Sequence, residues 1–375
     1  MINLEEMPKL GMGLMRLPQV NDEIDLDHVK KMVDYYLDHG LNYFDTAYVY
    51  HGGKSEGAIR QALVERYPRE SFFLADKLPA WAMNSADDRD RIFNEQLERL
   101  GTDYIDFYLL HSVEDGKNYE AYVGYDCFNW GIQKKKEGKI RHFGFSYHGT
   151  PELLEQILDA HPEIEFVQIQ LNYADWDNPL IQSGKLYEIL HERGIPILIM
   201  EPVKGGTLAA LDDELTDVLH QVRQDKSTAS WAIRFAAGLP GVMTVLSGMS
   251  NEEQVHDNVD TIVNFEALSE QESAAIEEVC RIMNSRNTIP CTACSYCTDG
   301  CPMQIRIPDI FKALNVLRMY PDSPSRPKNA YKKLTAQENS GLASSCVGCG
   351  QCESVCPQHL SIIELIAEAA ENLEA

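Results

Sequence analysis

The chain has 375 residues, which exceeds one average domain and leaves room for a smaller second unit. Its charged residues make up 24% and its hydrophobic residues 44%, an ordinary globular composition. The net charge of −25 argues against nucleic acid or an anionic membrane surface as a partner; it favours solubility, with a basic redox partner as the alternative. No apolar stretch is long enough to cross a membrane, and the acidic N-terminus does not resemble a secretion signal, so the sequence predicts a cytoplasmic protein.

Short β-rich runs alternate with helical patterns up to about residue 265. The predicted strands are Lys9–Leu14, Asn42–Thr46, Phe72–Lys77, Tyr104–His111, Ile140–Ser146, Phe166–Leu171, Ile197–Met200 and Met243–Leu246. Asp27–His39 and Asp87–Leu100 place apolar residues at helical spacing. Glycines follow several of these helices, as left-handed caps require: Gly40, Gly101, Gly138 and Gly194.

This alternation predicts an α/β fold with parallel strands. Eight βαβ units in about 250 residues favour a (β/α)8 TIM barrel over an open doubly wound sheet. The segment Gly11-Met12-Gly13-Leu14-Met15-Arg16 lacks the third glycine of a dinucleotide-binding turn, so it does not support a doubly wound sheet. We expect the barrel domain to cover residues 1–280.

The pattern changes after Cys280. Short helices are predicted at Pro308–Tyr320 and Ser361–Leu373, and a loop at Pro321–Ala330, which contains three prolines. Because most cysteines also fall in this part of the chain, we expect residues 281–375 to form a separate small domain.

Eight of the ten cysteines stand in two identical blocks of the form Cys-x2-Cys-x2-Cys-x3-Cys-Pro. They are Cys291, Cys294, Cys297 and Cys301, then Cys346, Cys349, Cys352 and Cys356. Three thiolates at two-residue spacing converge on one [4Fe–4S] cluster, and the fourth, displaced by the longer spacing and the proline, reaches the other cluster. The spacing therefore predicts two clusters with crosswise ligands. Cys356 completes the first block's cluster, and Cys301 completes the second block's.

Zinc and disulfides are the alternatives to iron–sulfur clusters. Zinc sites usually show paired Cys-x2-Cys hooks, and a reducing compartment disfavours disulfides. The segment between the blocks is longer than in compact bacterial ferredoxins. With its flanking helices, the region resembles the α-helical dicluster ferredoxin domain of respiratory and heterodisulfide-type reductases. Cys127 and Cys280 lie outside both blocks, and we expect them to be buried as apolar residues.

Active sites of this barrel type lie where the strands end. The predicted strand ends carry Asp45, Lys77, His111, Ser146 and Glu201, and Tyr50 follows the second strand. A lysine beside a tyrosine lowers the pKa of the phenol, and an aspartate holds that lysine charged. These residues therefore predict a proton-transfer site. Glu201 is either a substrate or ribose contact or a solvated carboxylate at the rim.

The barrel motifs resemble those of the aldo-keto reductase superfamily over roughly residues 8–265. The matching segments, in family order, are Phe44-Asp45-Thr46-Ala47-x-x-Tyr50, Ser55-Glu56, Ala75-Asp76-Lys77 and Tyr108-Leu109-Leu110-His111. The resemblance implies a catalytic tetrad of Asp45, Tyr50, Lys77 and His111. It also implies that a nicotinamide hydride attacks a carbonyl while Tyr50 donates the proton and His111 orients the oxygen. Tyr48 competes for the acid role, but the family's offset from the aspartate selects Tyr50.

The same resemblance implies a nicotinamide cofactor, either NAD or NADP. The implied contacts are Met15, Arg16, Ser146, Gln168, Met200, Lys204, Gly205, Gly248, Gln254 and Asn258. Gly248 and Gln254 stand where the family carries the cations that bind a 2′-phosphate. A phosphate without a cationic partner loses charge-assisted bonds. NAD is therefore at least as strongly expected as NADP, unless Lys204 or another cation compensates.

Hydride carries two electrons, whereas each cluster accepts one, and a flavin normally mediates between them. The sequence contains no recognisable flavin motif, so a bound flavin is only one expectation. Three hypotheses remain. The clusters exchange electrons with a redox partner protein or a flavin while the barrel acts on a small carbonyl or alcohol; the clusters are purely structural; or the barrel is a non-catalytic scaffold for a ferredoxin-type electron carrier.

Overall fold

The computed structural model describes residues 3, 7–114, 117–178, 181–286, 288–319 and 324–374. The chain divides into two compact units. One comprises Met1–Asn178, Gln182–Val203 and Asp225–Ser269, and the other Pro179–Ile181, Lys204–Gln224 and Glu270–Ala375. A domain boundary between residues 280 and 281 stays a prediction.

The first unit is built on a closed barrel of parallel strands. In chain order the strands are β1 (Leu10–Gly13), β2 (Gln19–Val20), β3 (Glu23–Ile24), β4 (Tyr43–Asp45), β5 (Phe73–Pro79), β6 (Ile105–Val113), β7 (Ile140–Tyr147), β8 (Phe166–Gln170), β9 (Ile197–Met200) and β10 (Val242–Ser247). The order around the barrel is β1-β10-β9-β8-β7-β6-β5-β4, and β4 pairs with β1 to close it. This confirms the predicted (β/α)8 barrel, and each predicted strand end lies within two residues of the observed one.

Helices follow the barrel strands. Numbered along the whole chain, those of the first unit are α1 (Leu26–Asp38), α2 (Ser55–Ile59), α3 (Asp88–Leu100), α4 (Lys117–Gly124), α5 (Cys127–Lys136), α6 (Pro151–Ala160), α7 (Ser183–Glu192), α9 (Thr228–Ala237) and α10 (Glu252–Val263). Asp25 caps α1 by accepting from the His28 N–H. The four predicted cap glycines have φ of 77°, 68°, 74° and 66°, in chain order, which confirms the left-handed caps.

Alternation along the strands sets the inner and outer faces of the barrel. Ala75 belongs to the interior cluster with Tyr43 and Phe107, whereas Leu74 and Leu78 pack in the cluster beneath the helices. Successive strand residues point to opposite faces. Lys77 therefore points into the barrel, and its neighbour Asp76 points toward the helices.

The second unit is helical. Its helices are α8 (Asp213–His220), α11 (Glu270–Ser285), α12 (Tyr296–Asp299), α13 (Ile307–Met319), α14 (Ser325–Thr335), α15 (Gln351–Ser354) and α16 (Ile362–Leu373). Buried Ile310, Phe311 and Leu314 of α13 pack with Ile366 and Ala369 of α16 in a core that also contains cysteines of both blocks. This agrees with the predicted small α-helical ferredoxin-like domain.

Two parts of the chain differ from the prediction. The antiparallel pair β2–β3 was not predicted, because two-residue strands carry no detectable period. The predicted loop Pro321–Ala330 is wrong from Ser325 onward, where α14 begins. Pro324 is its N-cap residue and Pro327 lies in its first turn, where no intrahelical N–H is needed. Residues 320–323 lie outside the described part of the chain.

The remaining cysteines were only partly predicted. Cys127 is buried as expected, whereas Cys280 is half-buried. In the part of the chain that the structure describes, no helix combines the length and apolar composition that crossing a membrane requires.

Candidate functional site

Three neighbouring strands and one turn carry the predicted tetrad. Asp45 ends β4, Lys77 lies in β5 and His111 lies in β6; all three are buried. Tyr50 begins a 3-10 turn after β4, where His51 has a left-handed φ of 52°. The parallel register pairs β5 with both neighbours, so the inward-facing ends of the strands meet.

Lys77 joins the site together. Its ammonium nitrogen lies 2.5 Å from Asp45 Oδ1, 2.7 Å from the Thr46 carbonyl oxygen and 3.4 Å from the Tyr50 hydroxyl. The Lys77 side chain is only 1% exposed, so its ammonium group hydrogen-bonds to these partners rather than to water. The structure thus brings the lysine, the aspartate and the tyrosine into one hydrogen-bonded group.

His111 completes this arrangement from the side. Its ring packs edge-on against Tyr50 at a centroid distance of 5.9 Å. The Tyr122 hydroxyl donates to the His111 carbonyl oxygen at 2.6 Å and holds the backbone in place. His111 Nδ1 is buried and has no hydrogen-bond partner among the described residues. The imidazole therefore lies beside the phenol, and its Nδ1 is available for a hydrogen bond to a bound group.

Burial controls the protonation of the site. Desolvation raises the pKa of Tyr50 well above its usual value, and the charges of Asp45, Asp76 and Glu201 add to this shift. The lowering of this pKa that we expected from the neighbouring lysine is therefore outweighed by burial. Desolvation also lowers the pKa of His111 well below its usual value, with the Lys77 charge as the second cause. Near neutral pH, Tyr50 therefore carries its proton and His111 is neutral.

Trp81 is a neighbour of the site that the sequence did not predict. It lies in the 3-10 turn Ala80–Ala82 that follows β5, and its ring centroid is 5.1 Å from that of His111. The residue is 55% exposed, which is unusual for a tryptophan in a packed barrel. The sequence signal that could have indicated this neighbour is the position of an aromatic residue just after the strand of Lys77.

Three of the predicted cofactor residues share the inner face of the barrel. Ser146 and Met200 lie at the ends of β7 and β9, Gln168 lies in the middle of β8, and Ser146 pairs in register with Gln168. Ser146 Oγ accepts from the Ser112 N–H at 2.7 Å. Gln168 Oε1 is buried without a donor among the described residues, so this group fits a ligand that supplies an amide N–H.

Five others lie where β1 and β10 end. Met15 and Arg16 belong to the 3-10 segment after β1, and a Cβ on Gly248 would stand 3.3 Å from Arg16 Cδ. Gln254 Oε1 accepts from the Ser250 N–H, and Asn258 donates to Ser247 Oγ, both at 2.8 Å. The structure therefore brings these residues together, while Gln254 and Asn258 also hold their own loop.

The last two predicted cofactor residues belong to the second unit. Lys204 and Gly205 begin the 3-10 segment Lys204–Ala209, and Lys204 is buried. A Cβ on Gly205 would lie 2.1 Å from the Thr292 carbonyl oxygen, next to Cys291. The glycine therefore has a packing role within the second unit, which the sequence did not indicate.

The eight cysteines line two cavities in crosswise groups. One cavity is lined by Cys291, Cys294, Cys297 and Cys356. A second cavity is lined by Cys301, Cys346, Cys349 and Cys352. Four thiols around each of two cavities are the donor set that two [4Fe–4S] clusters require.

The surroundings of both cavities are mainly apolar, and Ile307 and Ile362 line both of them. Burial raises the pKa of the Cys297 thiol to about 12, with the nearby Cys294 as the second cause. A buried sulfur of this kind becomes a thiolate when a bound cation compensates its charge, which fits iron ligation.

Comparison with known proteins agrees with both parts of this arrangement. A family model described as the aldo/keto reductase family matches residues 9–281, and a 4Fe-4S dicluster domain model matches residues 290–361. The chain is 25% identical over 303 residues to the uncharacterized oxidoreductase YqkF of Bacillus subtilis, covering 72% of this chain and 92% of that protein.

Solved structures share the barrel. Aldo-keto reductase AKR11C1 from Bacillus halodurans, in its holo form, superposes with a TM-score of 0.60 at 24% identity, covering 73% of this chain and 92% of that one. An aldo-keto reductase from Klebsiella pneumoniae in complex with NADPH gives 0.58 at 23% identity, covering 73% and 91%. With a barrel model that matches most of its length and a dicluster model that matches its cysteine blocks, this chain belongs to the aldo/keto reductase family and carries a C-terminal 4Fe-4S dicluster domain.

Proposed function

We propose that this protein is an oxidoreductase that moves hydride between a nicotinamide and a small carbonyl or alcohol substrate. The observation that carries the proposal is the buried Lys77 ammonium, which contacts Asp45 and the Tyr50 hydroxyl beside the neutral His111. A structural ion pair would not need a phenol within reach of the lysine. The catalytic roles of these four residues are part of the proposal.

Bound NAD or NADP supplies the hydride that reduces the carbonyl carbon. The protein's own residues complete the reaction: Tyr50 donates its proton to the carbonyl oxygen, and the alcohol forms. Lys77 stabilises the resulting tyrosinate, and Asp45 keeps the lysine charged and in place. His111 is neutral and can donate a hydrogen bond to the same oxygen, which orients the substrate. Tyr50 then regains a proton from water.

Tyr50→Phe tests this proposal. Carbonyl reduction should fall by at least about 100-fold, because the change removes the proton donor, while reduced nicotinamide still binds nearly as before. The measurements are steady-state rates with a panel of small carbonyl compounds and a fluorescence titration with NADH and NADPH.

Tyr48→Phe is the matched control. The Tyr48 hydroxyl donates to Glu95 at 2.7 Å, so its loss should affect the rate only mildly. Equal losses of carbonyl reduction in the two variants would show that Tyr50 is not the specific proton donor. Wild-type rates in Tyr50→Phe would favour the hypothesis of a non-catalytic barrel.

The cofactor proposal keeps both NAD and NADP. Gly248 stands where the family carries a cation, yet the Arg16 side chain packs against it and brings a positive charge to the same loop. The Klebsiella pneumoniae relative binds NADPH. Arg16→Gln should therefore raise the KM for NADPH more than the KM for NADH if Arg16 contacts a 2′-phosphate. Equal changes would exclude that contact.

We further propose that the eight cysteines bind two [4Fe–4S] clusters, which exchange electrons with a redox partner protein in the cytoplasm. Two cavities with four sulfurs each support this assignment. A structural role for the clusters is the second candidate, because the Cys291 block packs closely on Gly205 and the cysteines form part of the small unit's core. Nothing in the described residues indicates a flavin site.

A further inference from the structure

Two carboxyl groups meet on the outer side of β5, behind Lys77. Glu56 lies in α2 and Asp76 directly precedes Lys77, and both side chains are completely buried. The two groups are within hydrogen-bonding reach of each other. Each has one buried oxygen, Glu56 Oε1 and Asp76 Oδ2, without a hydrogen-bond donor among the described residues. A single proton between the two carboxyls would supply the missing donor.

The other oxygens of the pair are occupied. Asp76 Oδ1 accepts from the Lys77 N–H at 2.7 Å, and Glu56 Oε2 accepts from Arg99 Nη1 at 2.8 Å. The pair is thus attached to the backbone of Lys77 on one side and to the guanidinium of α3 on the other. Gln96 of α3 donates to the Lys77 carbonyl oxygen at 3.0 Å and fixes the same residue from its other end.

Charge balance also requires one proton. Two cations, Lys77 and Arg99, face three buried carboxyls, those of Asp45, Glu56 and Asp76. Two further titratable groups face the pair, Tyr108 of β6 and Glu95 of α3. Glu95 is partly exposed; it pairs with Arg91 and Tyr48 and also contacts Arg99 at 3.5 Å. Tyr108 donates to Gln96. Without a shared proton, the interior would contain one uncompensated negative charge.

Electrostatics agree with this geometry. Burial raises the pKa of Asp76 well above its usual value, and the neighbouring Glu56 is the second cause. Burial also raises the pKa of Glu56, against the opposing effect of Arg99. Two carboxyls this close cannot both ionise easily in a dry site, so the proton belongs to the pair rather than to either residue.

We propose that Glu56 and Asp76 share one proton and act as a single buried anion that positions Lys77 and sets the charge behind the Tyr50–Lys77 pair. Both are positioning residues, because neither reaches the inner face of the barrel where Tyr50 lies. The inference rests on the proposed function, since its effect on the reaction passes through Tyr50. The shared proton itself does not depend on that function.

Infrared difference spectroscopy of the full-length protein detects the proton without turnover. The wild type should show the carbonyl stretch of one buried protonated carboxylic acid at neutral pH. Glu56→Gln and Asp76→Asn should each remove the band, because the remaining carboxyl ionises opposite Arg99 and Lys77. Glu95→Gln is the matched control and should retain the band. Absence of a band in the wild type would overturn the proposal, and so would retention of the band in both single variants.

The pH dependence of kcat/KM supplies the second readout. Each single variant keeps one negative charge, so its profile should stay close to that of the wild type. The double variant removes the charge, which favours the tyrosinate and lowers the pKa of Tyr50. Because reduction needs protonated Tyr50, the high-pH limb should move to lower pH, by roughly one unit for a charge lost in a protein interior. A merely structural role would change rates without moving this limb.

The outcomes separate the two proposals. A shift of the limb in both single variants, with about twice that shift in the double variant, would mean two independent charges. An equal shift in one single variant and in the double variant would mean that the replaced residue carries the charge alone. Either result would refute the shared proton. If the double variant does not fold, the infrared spectra of the two single variants still decide the question. Absence of carbonyl reduction in the wild type would refute the proposed function while the infrared result stands by itself.

Discussion

The cysteine that precedes the proline in each block illustrates how one residue can belong to a distant site. Cys301 lines the cavity of the second block, and Cys356 lines that of the first. Each block therefore serves both cavities, which ties together two segments that are far apart in sequence. Loss of one such thiol should therefore damage the cluster of the other block.

The crosswise arrangement makes a residue-scale prediction. Cys301→Ser should damage the cluster of the Cys346 block, and Cys356→Ser that of the Cys291 block, because each change removes the fourth ligand. Electron paramagnetic resonance of the reduced protein should show one altered cluster in each variant. Chemical analysis should find about eight iron and eight sulfide per chain in the wild type. Cys127→Ser, outside both cavities, is the control. Damage confined to the block that carries the substitution would contradict the arrangement, and a zinc-loaded form without sulfide would refute the clusters.

At the scale of elements, strands and helices with a regular hydrophobic period could be predicted, whereas elements and side-chain pairs without such a period could not. All eight barrel strands could be predicted because each has a β-rich run followed by a helical pattern. The meeting of Asp45, Lys77 and His111 could be predicted because the ends of parallel strands meet, whereas Tyr50 was selected by the family resemblance. The helix α14 could not, since prolines usually break helices, although they are tolerated in a first turn. The Glu56–Asp76 pair depends on which outward side chains the topology brings together, and no spacing encodes that.

The segment Lys204–Ala209 gives the element-scale prediction. Gly205→Ala should destabilise the second unit, because the new Cβ would overlap the Thr292 carbonyl oxygen, and the backbone has a φ of 62°. Gly206→Ala is the matched control, with a φ of 99° but open space around the Cβ. The control should cost roughly 1 kcal/mol of unfolding free energy from the backbone alone. Gly205→Ala should cost about 1–3 kcal/mol more from overlap.

Urea unfolding followed by cluster absorbance measures both variants. The Thr292 carbonyl is next to Cys291, so Gly205→Ala should also accelerate loss of the first block's cluster. Equal stabilities of the two variants would show that the backbone moves away at little cost and that the close approach carries no packing energy.

For the whole molecule, the question is whether the two chemistries exchange electrons. Hydride delivers two electrons, and two [4Fe–4S] clusters accept one each, so one hydride could reduce both clusters with release of a proton. The matching electron count is compatible with exchange, and a purely structural role stays the alternative. The electron count balances without a flavin, although a flavin can separate the two electrons of hydride into single-electron steps.

Anaerobic titration of the full-length protein tests this exchange. NADH or NADPH should bleach the visible absorption of the clusters, with completion near about one equivalent per chain if both are reduced. An alcohol substrate with catalytic oxidised nicotinamide should produce the same bleaching in the wild type. Tyr50→Phe should block the reaction with alcohol but not the direct reaction with reduced nicotinamide, because only the alcohol step needs the phenol as proton acceptor. This difference separates electron entry through the barrel site from direct reduction elsewhere. Clusters that stay oxidised with every nicotinamide, with added flavin and with substrate would contradict exchange and favour the structural role.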